Sequence, residues 1–535
     1  MKRIDSSGWG GNPNRPVVRI LLLVSILLAG ALCFAAESPV PFRIDHYSLE
    51  FRLDPSIKSI KGVVAIDLIP NRIPVASELE LELIDALTVT RVSAGGKTLL
   101  FLHSNDILTI QLAPISPFKS ATLSIEYEGT PKGEGFVFDQ HAGTAIVESW
   151  GMPSSAKQWW PSIDAPSGKA KNGMDMEITV PSGNLAVSNG NLVSQRNNPD
   201  GTVTFHWAEK YPIYPDTVGL TVTNFQTFDL VYKDASGEFP LHFFVFPEDL
   251  EKAKKQFPVL LSMLQSHIKH FGPYPFSHEK YGIAEFTVDS FREHQTIPSL
   301  GAKSITGDSS RDFVLAHESA HQWFGNSISV KNWSNIWLNE GFASYAYALW
   351  QEEIGGAEAY QKAMKGMIRE FSGPIFIRNA SDEKQLFSNT TFRKGAWVLH
   401  MLRHVLGDEA FFKSLKTYVT KFSYSNADTE DFRGVCEEVS GKNLDWFFSE
   451  WVYGEGEPKY SVEWRASDGT KLTVHLKQLQ DGQTFRMPLD LIVQTSDRVL
   501  RFQVDGQKRE EEFSFPVTGT ITDVRIDPDG WVLYN

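Results

Sequence analysis

The stretch RDFVLAHESAHQWFGNSISVKNWSNIWLNEGFASYAYALW, residues 311–350, decides how the middle of this 535-residue chain folds. Within it, His317 and His321 are four positions apart, which places both imidazoles on the same face of a helix. Glu318 directly follows the first histidine and lies beside that face. The pattern therefore predicts a helix that presents two imidazoles, with a carboxylate next to them, to one point in space.

Two imidazoles at this spacing are typical ligands of Zn²⁺, and a catalytic zinc takes a third protein ligand while it keeps one position for water. Glu340 is the candidate third ligand, because it lies in a second helical pattern, WLNEGFA, residues 337–343. Eighteen residues separate it from His321, enough to end one helix, turn and bring a second helix across the first. An alternative ligand set with Gly at 324 and His at 327 is excluded, since Phe324 and Ser327 stand there. The sequence predicts one Zn²⁺ per chain.

Glu318 has a separate role in this prediction, because it can reach a water at the open position without binding the metal itself. Zinc lowers the pKa of such a water towards about 7 and polarises a bound carbonyl. We expect Glu318 to take the proton of the zinc-bound water and to pass it to a leaving amine. The residues therefore favour hydrolysis as the reaction.

At this point the sequence resembles a known family. HESAHQWFGN, residues 317–326, followed by WLNEGFA resembles the alanyl-aminopeptidase family of zinc metallopeptidases, the gluzincin aminopeptidases. The resemblance extends from about residue 42 to about residue 458 and has the character of a divergent bacterial-type member. It implies a β domain followed by a thermolysin-like α/β zinc-peptidase domain, and removal of N-terminal residues from peptides.

The periodicity of the chain predicts a multidomain α+β fold. Residues 36–228 alternate apolar and polar side chains at period two, which predicts an N-terminal antiparallel β domain. Residues 229–454 mix short strands with strong helical patterns, as a thermolysin-like catalytic domain requires. Residues 455–535 return to period two and predict a C-terminal β-sandwich of about seven strands. Many family members carry a further helical domain, and we expect no C-terminal helical domain here.

The first 35 residues have the pattern of a signal peptide. Basic residues precede the apolar run Ile20–Leu32, which is shorter than a comfortable membrane span. We expect a secreted protein, exported to the periplasm or the extracellular space, and a signal-anchored or lipidated membrane form stays open. Cys33 lies in this segment, so only Cys436 remains after cleavage and stability must come from burial rather than from a disulfide.

The formal net charge of −14 argues against nucleic acid or an anionic membrane surface as a partner. A peptide substrate is the partner that the predicted site implies. The sequence does not set the oligomeric state.

The substrate-binding segments depart from the family's pattern. The family holds the substrate's α-ammonium with the Glu of a Gly-x-Met-Glu-Asn segment, and the equivalent stretch here is SFREH, residues 290–294. It retains Glu293, 24 positions before His317, and we expect this carboxylate to bind the ammonium. Arg292 beside it would weaken that anchor. A second acidic or amide residue of the family corresponds to Met152, which is suited to line an apolar pocket instead.

The most serious departure is at Phe392. The family's Tyr-x-Lys-Gly segment supplies a phenol that donates a hydrogen bond to the oxyanion, and here the segment reads FRKG, residues 392–395. Losing one oxyanion donor typically costs about 10²–10³ in turnover. Arg393, Arg292 and His294 are candidate replacements.

The sequence is compatible with three functions. The first is that of an exported zinc metallopeptidase, an aminopeptidase. The alternative is a catalytically weakened zinc-binding homologue that acts as a peptide-binding protein, favoured by Phe392, Met152 and the altered 290–294 segment. A hydrolase with another substrate, such as an endopeptidase or an epoxide-opening enzyme, is a third. Retention of Glu318 favours an enzyme, because a binding protein needs no base.

Overall fold

The first strand, β1 (Phe42–Asp54), shows how alternation in the sequence becomes a buried sheet face. Its apolar side chains are buried while the polar ones between them are more exposed. Pairing with β2 (Ser59–Pro70) shifts register between Ile44 and His46, and this bulge moves the buried set from even to odd positions. Ile44 before the bulge and Tyr47 after it therefore enter the same core.

The computed structural model describes residues 41–71, 74–151, 153–235, 237–467 and 471–534. The predicted signal segment, residues 1–35, and the predicted substrate residue Met152 lie outside the described residues. Within the described part of the chain, no helix is both long and apolar enough to cross a membrane.

The N-terminal region is rich in β-structure. Its further strands are β3 (Glu78–Glu82), β4 (Leu87–Ala94), β5 (Lys97–Thr98), β6 (Phe101–Ser104), β7 (Ile107–Gln111), β8 (Ala121–Gly129), β9 (Phe136–His141), β10 (Thr144–Ser149), β11 (Met174–Pro181), β12 (Leu185–Ser188), β13 (Asn191–Asn197), β14 (Thr202–Glu209) and β15 (Leu220–Thr223). They form an eight-stranded sheet in the order β13-β14-β11-β1-β2-β8-β4-β5, a four-stranded sheet β12-β15-β10-β9 and a three-stranded sheet β3-β7-β6.

One pairing in the eight-stranded sheet is parallel. β1 and β11 run in the same direction, with Tyr47 opposite Met174 and Arg52 opposite Thr179. The prediction of an antiparallel domain is wrong at this pair. Side chains alternate at period two in both strand directions, so the sequence pattern does not distinguish them. A long connection joins β1 to β11, as a parallel pair requires.

The middle region combines a sheet with helices. The strands of the sheet are β16 (Gln226–Asp234), β17 (Gly237–Val245), β18 (Tyr281–Phe286), β19 (Phe291–Arg292) and β20 (Ser299–Gly301). Their order in the sheet is β16-β17-β18-β20-β19. A separate parallel pair consists of β21 (Ile328–Val330) and β22 (Ser425–Ala427). The helices are α1 (Leu250–Gln256), α2 (Leu260–Phe271), α3 (Asp312–Ala320), α4 (Trp337–Lys365), α5 (Glu383–Leu386), α6 (Gly395–Leu406), α7 (Asp408–Phe422), α8 (Thr429–Ser440) and α9 (Asp445–Trp451).

The C-terminal region is again β-structure, and its described residues form six strands rather than about seven. These are β23 (Tyr460–Ser467), β24 (Lys471–Gln478), β25 (Met487–Thr495), β26 (Val499–Gly506), β27 (Glu510–Pro516) and β28 (Ile521–Ile526). They form two antiparallel three-stranded sheets, β23-β24-β27 and β26-β25-β28. The rings of Phe502 and Phe515 join the two sheets at a centroid distance of 4.4 Å.

The C-terminal tail returns to the helices of the middle region. Trp531 lies between His400 and His404 of α6, with ring centroids 4.7 Å and 5.1 Å away. Val532 and Leu533 are buried in the same apolar core as the helices. Since this core runs without interruption from β16 to the tail, the domain limits 36–228, 229–454 and 455–535 stay predictions.

Candidate zinc centre

The first two predicted ligands come from the end of α3. His317 lies in its last turn, and His321 is the first residue beyond it. His321 keeps helical backbone angles, with φ −57° and ψ −22°, so the four-residue spacing still places both rings on one side. The two Nε2 atoms are 3.0 Å apart.

The third predicted ligand, Glu340, enters from the first turn of α4. Its Oε2 atom is 3.3 Å from Nε2 of His317 and 3.5 Å from Nε2 of His321. All three side chains are buried. The structure therefore brings together the three residues that the sequence predicts to bind the metal.

These distances fit Zn²⁺. In a tetrahedral site with zinc–ligand distances near 2.0–2.1 Å, two donor atoms are about 3.3–3.4 Å apart. The three measured separations lie within about 0.4 Å of that value. Two imidazole nitrogens and one carboxylate are also the donor set of a catalytic zinc that keeps its fourth position open.

The outer nitrogens of both imidazoles are held by neighbours, which leaves the inner nitrogens for the metal. Nδ1 of His321 donates to the carbonyl of Phe324 at 3.0 Å, and Nδ1 of His317 lies 3.4 Å from Oγ of Ser344. Burial raises the pKa of Glu340, but His321 and His317 beside it outweigh burial and lower that pKa to about 2. Glu340 is therefore an ionised ligand.

Glu318 is a buried carboxylate beside this cluster. Neither of its oxygens has a hydrogen-bond partner among the described residues, although only 3% of the residue is exposed. Burial raises the pKa of this carboxyl well above its usual range, and Glu293 and Glu340 act in the same direction. A buried polar group without a partner costs about 1–3 kcal/mol, so its retention indicates a group to which it bonds during function.

Glu293 lies near the cluster, as predicted for an ammonium anchor. Its carboxylate lies within 4.8 Å of both the Glu318 carboxylate and a ring nitrogen of His321. Two residues that follow α3 hold the segment around Glu293 in place. Asn326 donates from Nδ2 to the carbonyl of Glu293 at 2.8 Å, and Gln322 accepts from the backbone N–H of Thr296 at 2.8 Å. The sequence pattern predicts no role for either residue, and their membership of the HESAHQWFGN motif is the only signal of one.

The two altered neighbours of Glu293, Arg292 and His294, each contact a further residue. The guanidinium of Arg292 lies over the ring of Trp150, 4.5 Å from its centroid. His294 is buried against the backbone of Gly219, and its Nδ1 lies 3.0 Å from Oγ of Ser299. Burial lowers the pKa of His294 to about 3, so its ring is neutral at pH 7.

Phe392 lies against the metal site on a π-helical segment, Thr390–Lys394. Its ring stacks on that of His317, with centroids 5.6 Å apart and planes 9° from parallel. The structure therefore brings the position of the family's phenol to the metal site, and the side chain present there has no hydrogen-bond donor.

Comparisons with known proteins support the zinc centre. The sequence profile of the Peptidase M1 N-terminal domain matches residues 43–214, and that of the Peptidase family M1 domain matches residues 290–451. Aminopeptidase M1-D of Oryza sativa subsp. japonica is 25% identical over 516 residues, which cover 89% of this chain and 58% of that protein. The chain thus spans little more than half the length of such curated relatives.

Solved structures share the fold. Aminopeptidase A of Legionella pneumophila, solved in complex with aspartic acid, aligns with a TM-score of 0.82 at 19% identity over 94% of this chain and 60% of that one. An M1 zinc metallopeptidase of Deinococcus radiodurans, solved with a Tyr-Ser-Ala substrate, aligns with a TM-score of 0.68 at 23% identity over 78% of this chain and 95% of that one. Both domain profiles of peptidase family M1 match this chain, and its predicted zinc ligands lie together in the structure. The chain therefore belongs to peptidase family M1, the alanyl-aminopeptidase family of zinc metallopeptidases.

Proposed function

We propose that this protein is an aminopeptidase that releases single residues from the N-terminus of peptides. The observation that carries the proposal is the unpartnered, buried carboxylate of Glu318 beside the cluster of His317, His321 and Glu340. This arrangement has the parts that peptide hydrolysis needs.

Bound zinc supplies Lewis acidity, which polarises the scissile carbonyl and lowers the pKa of an attacking water. Glu318 accepts the proton of that water and passes it to the leaving amine, a transfer that typically contributes about 10²–10⁴ to the rate. Because the Glu318 oxygens are buried, bulk water does not compete for this proton.

Glu293 determines where the peptide is cut. In an amino acid, the α-nitrogen is only two covalent bonds from the carbonyl carbon. The Glu293 carboxylate lies within 4.8 Å of the Glu318 carboxylate, so a peptide whose ammonium pairs with Glu293 brings its first carbonyl to the base. This short distance favours cleavage after the first residue rather than inside the chain.

One observation favours the alternative of a weakened enzyme that mainly binds peptides. Phe392 occupies the position beside His317 where the family has a phenol, and it donates no hydrogen bond to the oxyanion. Arg292, one of the candidate replacement donors, lies over the ring of Trp150 and donates from Nη1 to the carbonyl of Phe291.

The test uses the full chain with zinc, free peptides and aminoacyl anilides. We expect release of the first residue by the parent protein, and a loss of at least about 10² in kcat in Glu318→Gln with unchanged zinc content. N-acetylated peptides should be cleaved far more slowly. Equal turnover by the parent protein and Glu318→Gln would exclude the proposed base, and absence of turnover in a zinc-loaded parent that still binds peptide would favour the alternative.

We also infer export, a thermolysin-like arrangement of the middle region and a C-terminal β-sandwich. The basic residues before Ile20–Leu32 support export. The Phe502–Phe515 contact between the two C-terminal sheets supports the sandwich. N-terminal sequencing of protein recovered outside the cytoplasm tests the first of these, since a mature N-terminus at about Ala36 is expected.

A further inference from the structure

A cavity of about 630 Å³ lies beside His317. His317 and Phe392 line its inner end, next to the metal site, while Glu293, Glu318 and Glu340 do not line it. The cavity therefore adjoins the metal site through His317 and Phe392 and does not contain the proposed ammonium anchor, Glu293. A peptide whose first residue pairs with Glu293 would direct its following residues into this space.

The lining of the cavity is apolar and aromatic in one part and basic in another. Its apolar lining consists mainly of Phe291, Phe313, Val314, Met367, Phe387 and Phe392. Its charged lining is Lys362, Arg369 and Arg393. No carboxylate is among the described residues that line it, although the whole chain has a net charge of −14.

Two of these cations are held side by side. Nη1 of Arg369 donates to the carbonyl of Gly366 at 3.1 Å, and Nη1 of Arg393 donates to the same oxygen at 3.4 Å. Within the described part of the chain, neither guanidinium forms an ion pair with a carboxylate within 4.0 Å. Burial lowers the pKa of Arg393, and the neighbouring Arg369 lowers it further because like charges repel.

We propose that Arg369 and Arg393 bind a carboxylate of the substrate, one or two residues beyond the scissile bond. This inference rests on the proposed aminopeptidase function and specifies its substrate class as short peptides or peptides with an acidic residue at that place. A carboxylate would relieve the repulsion between the two guanidinium groups and accept their remaining N–H donors.

The distance along the chain supports this placement. Arg393 directly follows Phe392, whose ring stacks on the ligand His317, and both arginines line the same cavity as that ring. Each extended peptide residue spans about 3.3–3.6 Å, so one or two residues beyond the scissile bond would extend into the cavity that the two guanidinium groups line. The aromatic lining between them receives the apolar part of the substrate.

The same carboxylate chemistry has two sources, the C-terminus of a dipeptide or tripeptide and the side chain of Asp or Glu. Three matched substrates separate them: a tripeptide acid, its C-terminal amide, and an amide with Asp at the second or third position. Hydrogen bonds to a charged group contribute about 1.5–3 kcal/mol, which corresponds to about 10–100-fold. We expect the parent protein to show a kcat/KM for the acid about 10–100-fold above that of the amide, with Asp restoring part of the loss.

The variants are Arg369→Gln, Arg393→Gln and both together, with Arg378→Gln as the control. Arg378 is an exposed arginine that donates to the carbonyl of Tyr453 and does not line the cavity. We expect the ratio of acid to amide to fall towards one in the double variant and to stay at the parent value in the control. Melting temperature and zinc content show that each variant is folded.

Two outcomes of the cleavage assays would overturn the proposal. One is equal cleavage of acid and amide by the parent protein, and the other is an unchanged ratio in the double variant. An aminoacyl anilide has no residue beyond the scissile bond, so its turnover by the parent protein tests the aminopeptidase function separately. Calorimetric binding of the tripeptide acid and its amide to zinc-loaded Glu318→Gln measures the carboxylate preference even if turnover is absent, and equal affinities would refute it.

Discussion

At the scale of single residues, the stacked pair of Phe392 and His317 sets the clearest prediction. Phe392→Tyr adds a hydroxyl to a ring already against the metal ligand. Because an oxyanion donor is worth about 10²–10³ in turnover, we expect kcat to rise by up to about 10² while KM changes little. Initial rates with an aminoacyl anilide measure this.

Phe387→Tyr is the matched control, since Phe387 lines the same cavity and its ring centroid is 6.4 Å from that of Phe392. A hydroxyl there is not next to His317, and we expect no gain. Unchanged kcat in Phe392→Tyr would mean that the stacked ring aims its edge away from the reacting carbonyl.

Helical spacing was sufficient to predict that His317 and His321 converge, because both belong to one helix face. The prediction of Glu340 as the third ligand required only one further assumption, that a second helix returns across the first. The stacking of Phe392 on His317 and the support of Glu293 by Asn326 were not predictable from spacing. These contacts join segments far apart in the chain, and only tertiary packing brings them together.

At the scale of helices, a glycine pair sets the distance between the ligand helix α4 and α6. A Cβ atom built on Gly395 would lie 2.9 Å from Cα of Gly341, and one built on Gly341 would lie 3.0 Å from Cα of Gly395. Gly341 is the residue after the ligand Glu340. The two backbones therefore touch directly beside the metal site.

We expect Gly395→Ala to push α4 away from α6, with a loss of about 1–3 kcal/mol in the free energy of unfolding and weaker zinc binding. Denaturant titration and competition with a zinc chelator measure the two effects. Gly434→Ala on α8 is the control, because a Cβ there meets nothing within 4 Å. If both variants behave alike, the glycine contact does not control the position of Glu340.

The sequence predicted most elements but not how they are joined. Residues 250–271 do not form one continuous helix, because a short 3₁₀ segment, Phe257–Val259, separates α1 from α2. Pro258 lies within it, and proline lacks the N–H that a continuous helix needs. The parallel pairing of β1 with β11 was missed because alternation has the same period in both directions.

At the scale of the whole molecule, Lys169 links the N-terminal β region to the zinc region. Its buried Nζ donates to the carbonyls of Asn326 and Ser327 at 3.1 Å and to that of Ser425 at 3.3 Å. Lys169→Met would leave three carbonyls without this donor, and unsatisfied buried groups cost about 1–3 kcal/mol each.

We therefore expect Lys169→Met to lower the free energy of unfolding by about 3 kcal/mol, measured by urea titration. Lys171→Met is the control, since the Lys171 side chain is exposed two positions away. A loss of similar size in both variants would argue against the carbonyl contacts as the cause.

Buried neutral histidines make the whole fold sensitive to acid. His400 accepts a hydrogen bond from the Tyr360 hydroxyl at 2.6 Å and donates to the carbonyl of Gly530 at 2.9 Å. Burial lowers the pKa of His400 to about 3, and burial lowers the pKa of His267 to about 3 as well. In the unfolded chain a histidine has a pKa near 6.5.

The unfolded state therefore binds protons between pH 6.5 and about 3 that the folded state does not. The stability that these residues contribute is complete above pH 6.5 and is lost as the pH falls, by about 1.4 kcal/mol per pH unit and histidine. Urea titrations from pH 7 to pH 4 measure the slope. We expect a shallower slope in His400→Gln, and a slope equal to that of the parent would contradict the assignment.

The docking of Trp531 between His400 and His404 has a consequence for biosynthesis. A ribosome makes the metal-binding segment long before it makes residues 531–533, yet these late residues complete the core around α6. Part of the apolar surface of α6 therefore stays uncovered in the nascent chain until Leu533 has been translated. The core around α6 is therefore completed only after residue 533 has been made, and a truncation before Trp531 would release a zinc module with an uncovered apolar face.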